Sequence, residues 1–178
     1  MRRILWRAVF LCGATACFSG ASTPPIVTAR TLLDSDAAHP GSTVEAAVVA
    51  QIAPGYHIND HKPTLDYLIP SELKLEAVPE VAIQDVLYPH GKLVKFAFED
   101  QSLSVYEGTL VVKVLLKVGG TTKPGDYTLK GKFAYQACND HACLPPTSVP
   151  VEVAVKVVRA GVPVKRLNED VLKSGQLE

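Results

Sequence analysis

The chain is predicted to fold as an all-β, two-sheet β-sandwich. Three observations carry that expectation. Apolar and polar residues alternate along about eight short segments, glycine and proline turns separate them, and no helical periodicity runs over the same span. Each segment has one apolar face that needs cover, so two sheets must pack face to face.

Taken in order, Ile26 to Leu33 reads as an opening strand, and Pro40-Gly41 marks a turn. Val44, Ala46, Val48, Ala50 and Ile52 then form a stripe at strand period, ended by Pro54-Gly55. Tyr56 to Asn59 resumes as a short strand until Lys62-Pro63 breaks it. Leu73 and Leu75 alternate with charged residues, Val81 to Tyr88 is rich in β-formers, and Lys92 to Phe98 follows the turn at Pro89-His90-Gly91. The clearest strand places Leu110, Val112, Val114, Leu116 and Val118 on one face. Alternation returns in Tyr127, Leu129, Gly131, Phe133 and Tyr135, and last in Val149, Val151, Val153, Val155 and Val157. Burial of those five valines contributes about 7–10 kcal/mol, taking ~1.5–2 kcal/mol for each; backbone ordering offsets most of it. From Arg159 onward the signal weakens. Asn168-Glu169-Asp170 could cap a short helix through Lys173, but a loosely held tail is the expectation.

The N-terminus has the three parts of a secretory signal. Met1 to Arg7 is basic, Ala8 to Phe18 is an apolar run too short for a membrane span, and Ser19-Gly20-Ala21 fits a cleavage site. Ala14-Thr15-Ala16 before Cys17 faintly resembles a lipoprotein box, which makes anchoring at Cys17 the lesser alternative. Removing Arg2, Arg3 and Arg7 leaves 15 basic residues against 18 acidic ones. No basic patch remains, so nucleic acid is not an expected partner. The mature protein is expected to be exported, not membrane-spanning, and monomeric.

Export removes Cys12 and Cys17 and leaves Cys138 and Cys143, a pair in a compartment where disulfides persist. Four residues separate them, between one strand-like run and another. Paired as a hairpin, the two face each other at a distance that a disulfide tolerates. So small a ring restricts the unfolded chain by only about 2 kcal/mol. Extending the alternation from Tyr135 turns Cys138 outward with Lys130 and Lys132, which makes the pair open to exchange. His141, between the cysteines, could stabilise a thiolate, with Asp140 partly cancelling it. A structural bridge, a redox pair and a metal site all remain open on these residues. The metal reading joins Cys138, His141 and Cys143 with His57 and His61 as ligands for Cu(I) or Zn, but the cysteine spacing is not a usual zinc spacing. No Gly-x-Ser-x-Gly, His-Glu-x-x-His or phosphate-cradling glycine run is present.

Tyr135-Gln136-Ala137-Cys138 followed by Cys143-Leu144-Pro145-Pro146 resembles the cysteine motif of the periplasmic N-terminal domain of the thiol:disulfide interchange protein DsbD. That motif reads Tyr-Gln-Gly-Cys, a short loop, then Cys-Tyr-Pro-Pro. Gly55-Tyr56-His57 is similar to the family's Gly-Tyr-Tyr element, and Tyr106-Glu107-Gly108 matches in placement. The resemblance spans Val44 to Val157. It implies an immunoglobulin-like sandwich over residues 22–158, between a signal peptide at 1–21 and a C-terminal tail at 159–178. It also implies a component of protein-disulfide reduction that works without cofactor or metal. Cys143 would attack partner disulfides and Cys138 would resolve them, under a cap loop whose aromatic shield is Phe96 or Phe98.

The chain departs from the family pattern at several places. The cysteine loop is one residue shorter, Ala137 and Leu144 replace glycine and tyrosine, and His57 and Asn59 stand where tyrosines line the site. There is no membrane electron channel and no thioredoxin-like Cys-x-x-Cys domain in the sequence, so the expected partners are thioredoxin-like domains and a membrane electron donor in a separate chain. A binding or scaffold domain with a structural disulfide is the alternative function.

Overall fold

The computed structural model describes residues 25–97 and 99–173. The expected signal segment, its cleavage site, Cys17 and Phe98 lie outside them. Eleven strands and one short helix follow in order among the described residues. They are β1 (Val27–Leu33), β2 (Thr43–Ile52), β3 (His57–Asn59), β4 (Glu72–Leu75), β5 (Val81–Leu87), β6 (Lys92–Lys95), β7 (Ser102–Tyr106), β8 (Thr109–Val118), β9 (Gly125–Tyr135), β10 (Ala137–Cys138), β11 (Thr147–Val157) and α1 (Glu169–Lys173). No helix among them is long and apolar enough to cross a membrane.

Two sheets make the sandwich. One has the strand order β1-β2-β8-β5 and the other β11-β9-β4, all antiparallel. The stripes read from the sequence meet between them. Val44, Ala46, Val48, Ala50 and Ile52 join Leu110, Val112, Val114 and Leu116 from the first sheet, and Leu129, Phe133, Val151, Val153 and Val155 from the second, in one buried cluster. Alternation put those side chains on one face, and removing that face from water is what drives the sheets together. Gly131 serves this packing. A Cβ there would lie 2.0 Å from the Lys74 carbonyl oxygen, so only glycine lets β4 come alongside β9.

β2 is buried on both faces, which a single sandwich does not explain. Ala47 and Val49, on the outer face, are covered together with Val111 by Leu172 of α1. The expectation of a loosely held tail is corrected here. Arg166 pairs with Asp34 at 2.6 Å, the Leu167 N–H donates to the Asp34 carbonyl, and Asn168 Nδ2 donates to the Leu33 carbonyl. These contacts seat the segment beside β1 and let Leu172 reach the apolar outer face of β2 and β8. The same outer face carries Glu45 paired with Lys113 at 3.5 Å, so Leu172 covers its apolar part, Ala47, Val49 and Val111.

A third, smaller sheet of order β10-β3-β7-β6 closes one end of the sandwich. Its inner face, with Ile58, Tyr106 and Ala137, belongs to the main core. Its outer face is roofed by a second cluster of Phe96, Leu103 and Val105 with Leu65, Leu68 and Val94. Asp60, 4% exposed, holds these parts together. Its carboxylate accepts hydrogen bonds from Ser104 Oγ at 2.5 Å, Tyr106 Oη at 2.5 Å, the Gly91 N–H at 3.1 Å and the Lys62 N–H at 3.3 Å. Burial pushes the Asp60 carboxyl up, but these donors outweigh it and hold it below its ordinary value. Gly91 is required at the turn before β6, since a Cβ there would sit 2.3 Å from Asp60 Oδ2.

Two measurements check this account. Leu172→Ala should lower stability by about 2 kcal/mol in urea unfolding; no change would mean that α1 does not cover the sheet. Asp60→Asn should cost about 1–3 kcal/mol at neutral pH. A carboxyl depressed in the folded state stabilises above its unfolded value near 3.8, and loses that contribution as pH falls through its folded value. The gap between wild type and Asp60→Asn should therefore shrink in acid below about pH 4. Parallel pH profiles for the two proteins would refute the assignment.

Candidate functional site

At Gln136 the chain leaves one sheet for another. Tyr135 ends β9 in the sandwich, whereas Ala137 and Cys138 form β10 and pair with β3, Ala137 opposite Ile58 and Cys138 opposite His57. Gln136 fastens the crossing. Its Nε2 donates to the Leu144 carbonyl at 3.2 Å, and its Oε1 accepts from Asn59 Nδ2 at 3.4 Å. Asn59 also donates to the Ile69 carbonyl at 2.9 Å, tying the 60–71 loop to the same point.

The cysteine loop folds on itself. Asn139 Oδ1 accepts from the N–H groups of His141 and Ala142, both at 2.9 Å, which is an Asx-type turn. The Asn139 N–H donates to the Ala142 carbonyl and the Leu144 N–H to the Ala137 carbonyl. Cys138 and Cys143 therefore lie opposite each other as an antiparallel pair. They are joined, with S–S 2.02 Å and Cα–Cα 4.0 Å. The hairpin read from the sequence is present, and the pair bonds across its mouth.

The two cysteines are not equally accessible. Cys143 is exposed and Cys138 is 2% exposed. The alternation correctly turns Cys138 away from the sandwich core, since Ala137 joins that core and Cys138 does not. The inference of accessibility holds at Cys143 and fails at Cys138, because the outer face of the small sheet is itself covered. Phe96 stacks on His57, the cross-strand neighbour of Cys138, with ring centroids 4.3 Å apart. The turn that carries Phe96 is braced by Lys95, whose Nζ donates to the Glu99 and Asp100 carbonyls, and by Tyr67 Oη donating to Glu99 Oε2 at 2.5 Å.

Among the described histidines, His57 is the one that lines the groove beside the cysteine hairpin. Burial pushes its imidazole below the ordinary value, while the carboxylates of Glu107 and Asp140 pull it back up to a lesser extent. These three residues, with Tyr56 and Phe96, line an open groove of about 460 Å³ beside the cysteine hairpin. His61 lies elsewhere, stacked on Tyr88 at 3.8 Å and hydrogen-bonded to the Ser71 carbonyl. His141 is exposed in the cysteine loop. Among the described residues no three His, Cys, Asp or Glu side chains are grouped to hold a metal ion. The sequence reading missed Asp60 and the facing of Glu107 on His57. Both lie in polar loops that resemble ordinary solvated turns, and only the pairing of strands distant in sequence brings them in.

The family model described as thiol:disulfide interchange protein DsbD, N-terminal, matches residues 28–154. Among solved structures, the N-terminal periplasmic domain of ScsB from Proteus mirabilis has a TM-score of 0.49 at 17% identity, covering 75% of this chain and 49% of that one. The chain thus spans about half the length of that structure. The N-terminal domain of Neisseria meningitidis DsbD in the reduced form has a TM-score of 0.42 at 16% identity, covering 79% and 90%. The seventh ScaB type I cohesin from Pseudobacteroides cellulosolvens has a TM-score of 0.44 at 14% identity, covering 78% and 97%. No curated protein matches the chain. The match of the family model over residues 28–154, well over half of the chain, leads to one assignment: the chain belongs to the DsbD N-terminal family of thiol:disulfide interchange domains.

Proposed function

We propose that this protein relays electrons in the periplasm by thiol–disulfide exchange through Cys138 and Cys143. The observation that carries the reading is the unequal exposure of a single disulfide, with Cys143 open and Cys138 covered. An attacking thiolate needs access to a foreign sulfur, and a resolving thiol needs only to reach its own neighbour. In the reduced protein, Cys143 attacks a partner disulfide and forms a mixed disulfide with it. Cys138 then attacks Cys143 Sγ and re-forms the internal bond. Two electrons and two protons pass to the partner, which leaves as a dithiol. The partners are thioredoxin-like proteins on one side and a membrane electron donor on the other. Residues 22–158 form the exchange domain, delivered by the N-terminal signal.

The burial of Cys138 also supports a second reading, an inert bridge in a binding domain of the same fold. One experiment separates the two. The Cys138→Ser chain, incubated with an oxidised thioredoxin-like protein, should form a covalent adduct on non-reducing gels, and Cys143→Ser should form none. After reduction of the wild type, Cys143 should alkylate at least about tenfold faster than Cys138, following access. An unreactive Cys143 with no adduct would leave the inert bridge as the function.

A further inference from the structure

The small sheet sets four chemically active side chains in one row. Cys138 lies opposite Cys143 on one side and opposite His57 on the other. β3 in turn pairs with β7, Ile58 opposite Tyr106 and Asn59 opposite Val105, so one further step of this register sets Glu107 opposite His57. Directly opposed residues of antiparallel strands project to the same face with Cβ atoms roughly 4.5–5.5 Å apart. The intervening residues confirm which face this is, because Ile58, Tyr106 and Ala137 all point into the sandwich core. The row Glu107, His57, Cys138, Cys143 therefore runs along the other face, from an exposed carboxylate to an exposed cysteine.

We propose that His57 is the proton acceptor for the Cys138 thiol when it resolves the mixed disulfide, with Glu107 facing the imidazole from the other side. This rests on the exchange reading above and specifies the step that a buried cysteine makes difficult. An ordinary thiol with a pKa of about 8.5 is only ~3% thiolate at pH 7, and burial away from water lowers that fraction further. A neighbouring base removes the obstacle. His57 is suited to it, since burial holds the ring toward its neutral, proton-accepting form. The charged groups facing it are Glu107 and Asp140, and the ring stacked on it is that of Phe96. Lys92 pairs with Glu107 at 3.5 Å on the solvent side.

His57 takes the proton from Cys138 Sγ, and the sulfur electron pair forms the bond to Cys143 Sγ. The bond from Cys143 to the partner sulfur breaks, and its electron pair leaves as the partner thiolate. The imidazolium returns its proton to water past Glu107, and water protonates the departing thiolate. Asp140, at the rim of the same groove, helps to hold the transient positive charge.

The test uses the reduced full chain and an aromatic disulfide that releases a coloured thiolate. The first equivalent reports attack by Cys143, and the second reports resolution by Cys138. His57→Phe keeps a ring against Phe96, and His57→Gln keeps a polar side chain; neither offers a base. Both should leave the first release unchanged and slow the second about 10- to 30-fold at pH 7, the range set by the thiolate fraction. The deficit should shrink steadily as pH rises past the ordinary thiol value of about 8.5, as more of the thiol ionises unaided. A second release with wild-type rate and pH profile in either variant would overturn the role of His57. Absence of the first release from the wild-type chain would instead overturn the exchange reading itself.

Discussion

Asp60 gives up its hydration to sit behind the small sheet, and the four donors that compensate it come from separate parts of the chain. Ser104 and Tyr106 belong to β7, Gly91 to the turn before β6, and Lys62 to the loop after β3. A buried carboxylate without those donors would cost several kcal/mol, so its presence requires all four to be in place at once. That requirement fixes β3 against β7 and the turn before β6. Short strands such as β3 and β10, of three and two residues, have little intrinsic stability. They persist because one face is locked into the sandwich and Asp60 locks the other elements to them.

The sandwich supplies rigidity and the small sheet supplies chemistry. β9 is paired along its length with β11 and along part of it with β4, so the strand that delivers Cys138 cannot slide. The crossing at Gln136 then changes the environment within three residues, from the core at Tyr135 to a roofed outer face at Cys138. The Asx turn at Asn139 reverses the chain tightly enough for the second cysteine to emerge in solvent while the first stays covered. Thus one bond has an inner end and an outer end, which is the asymmetry that sequential thiol exchange uses.

Most of the core was legible in the residues themselves. Alternation in 44–52, 110–118 and 149–157 marked the stripes that the structure buries, because a strand offers only two faces and a stripe on one of them must be covered. The cysteine hairpin was legible for a similar local reason, since a short polar loop between two β runs leaves little choice of pairing. The seat of the tail was not legible, because Leu172 sits in a stretch without period and Arg166 and Asn168 reach back to Asp34 and Leu33, far away in the chain. What it covers, Ala47 and Val49, lies on the face of β2 turned away from the sandwich core.

What the sequence by itself determined was the all-β architecture, the location of its stripes and the identity of the sulfur pair. All of these follow from short-range patterning along single strands. Tertiary structure alone decided the environment of each sulfur, the partner of His57 and the burial of Asp60. These depend on contacts such as Asp60 with Ser104 and Cys138 with His57, between residues more than forty positions apart. Local pattern states which face of a strand is apolar; which residue arrives to cover a polar one is settled by how the sheets close.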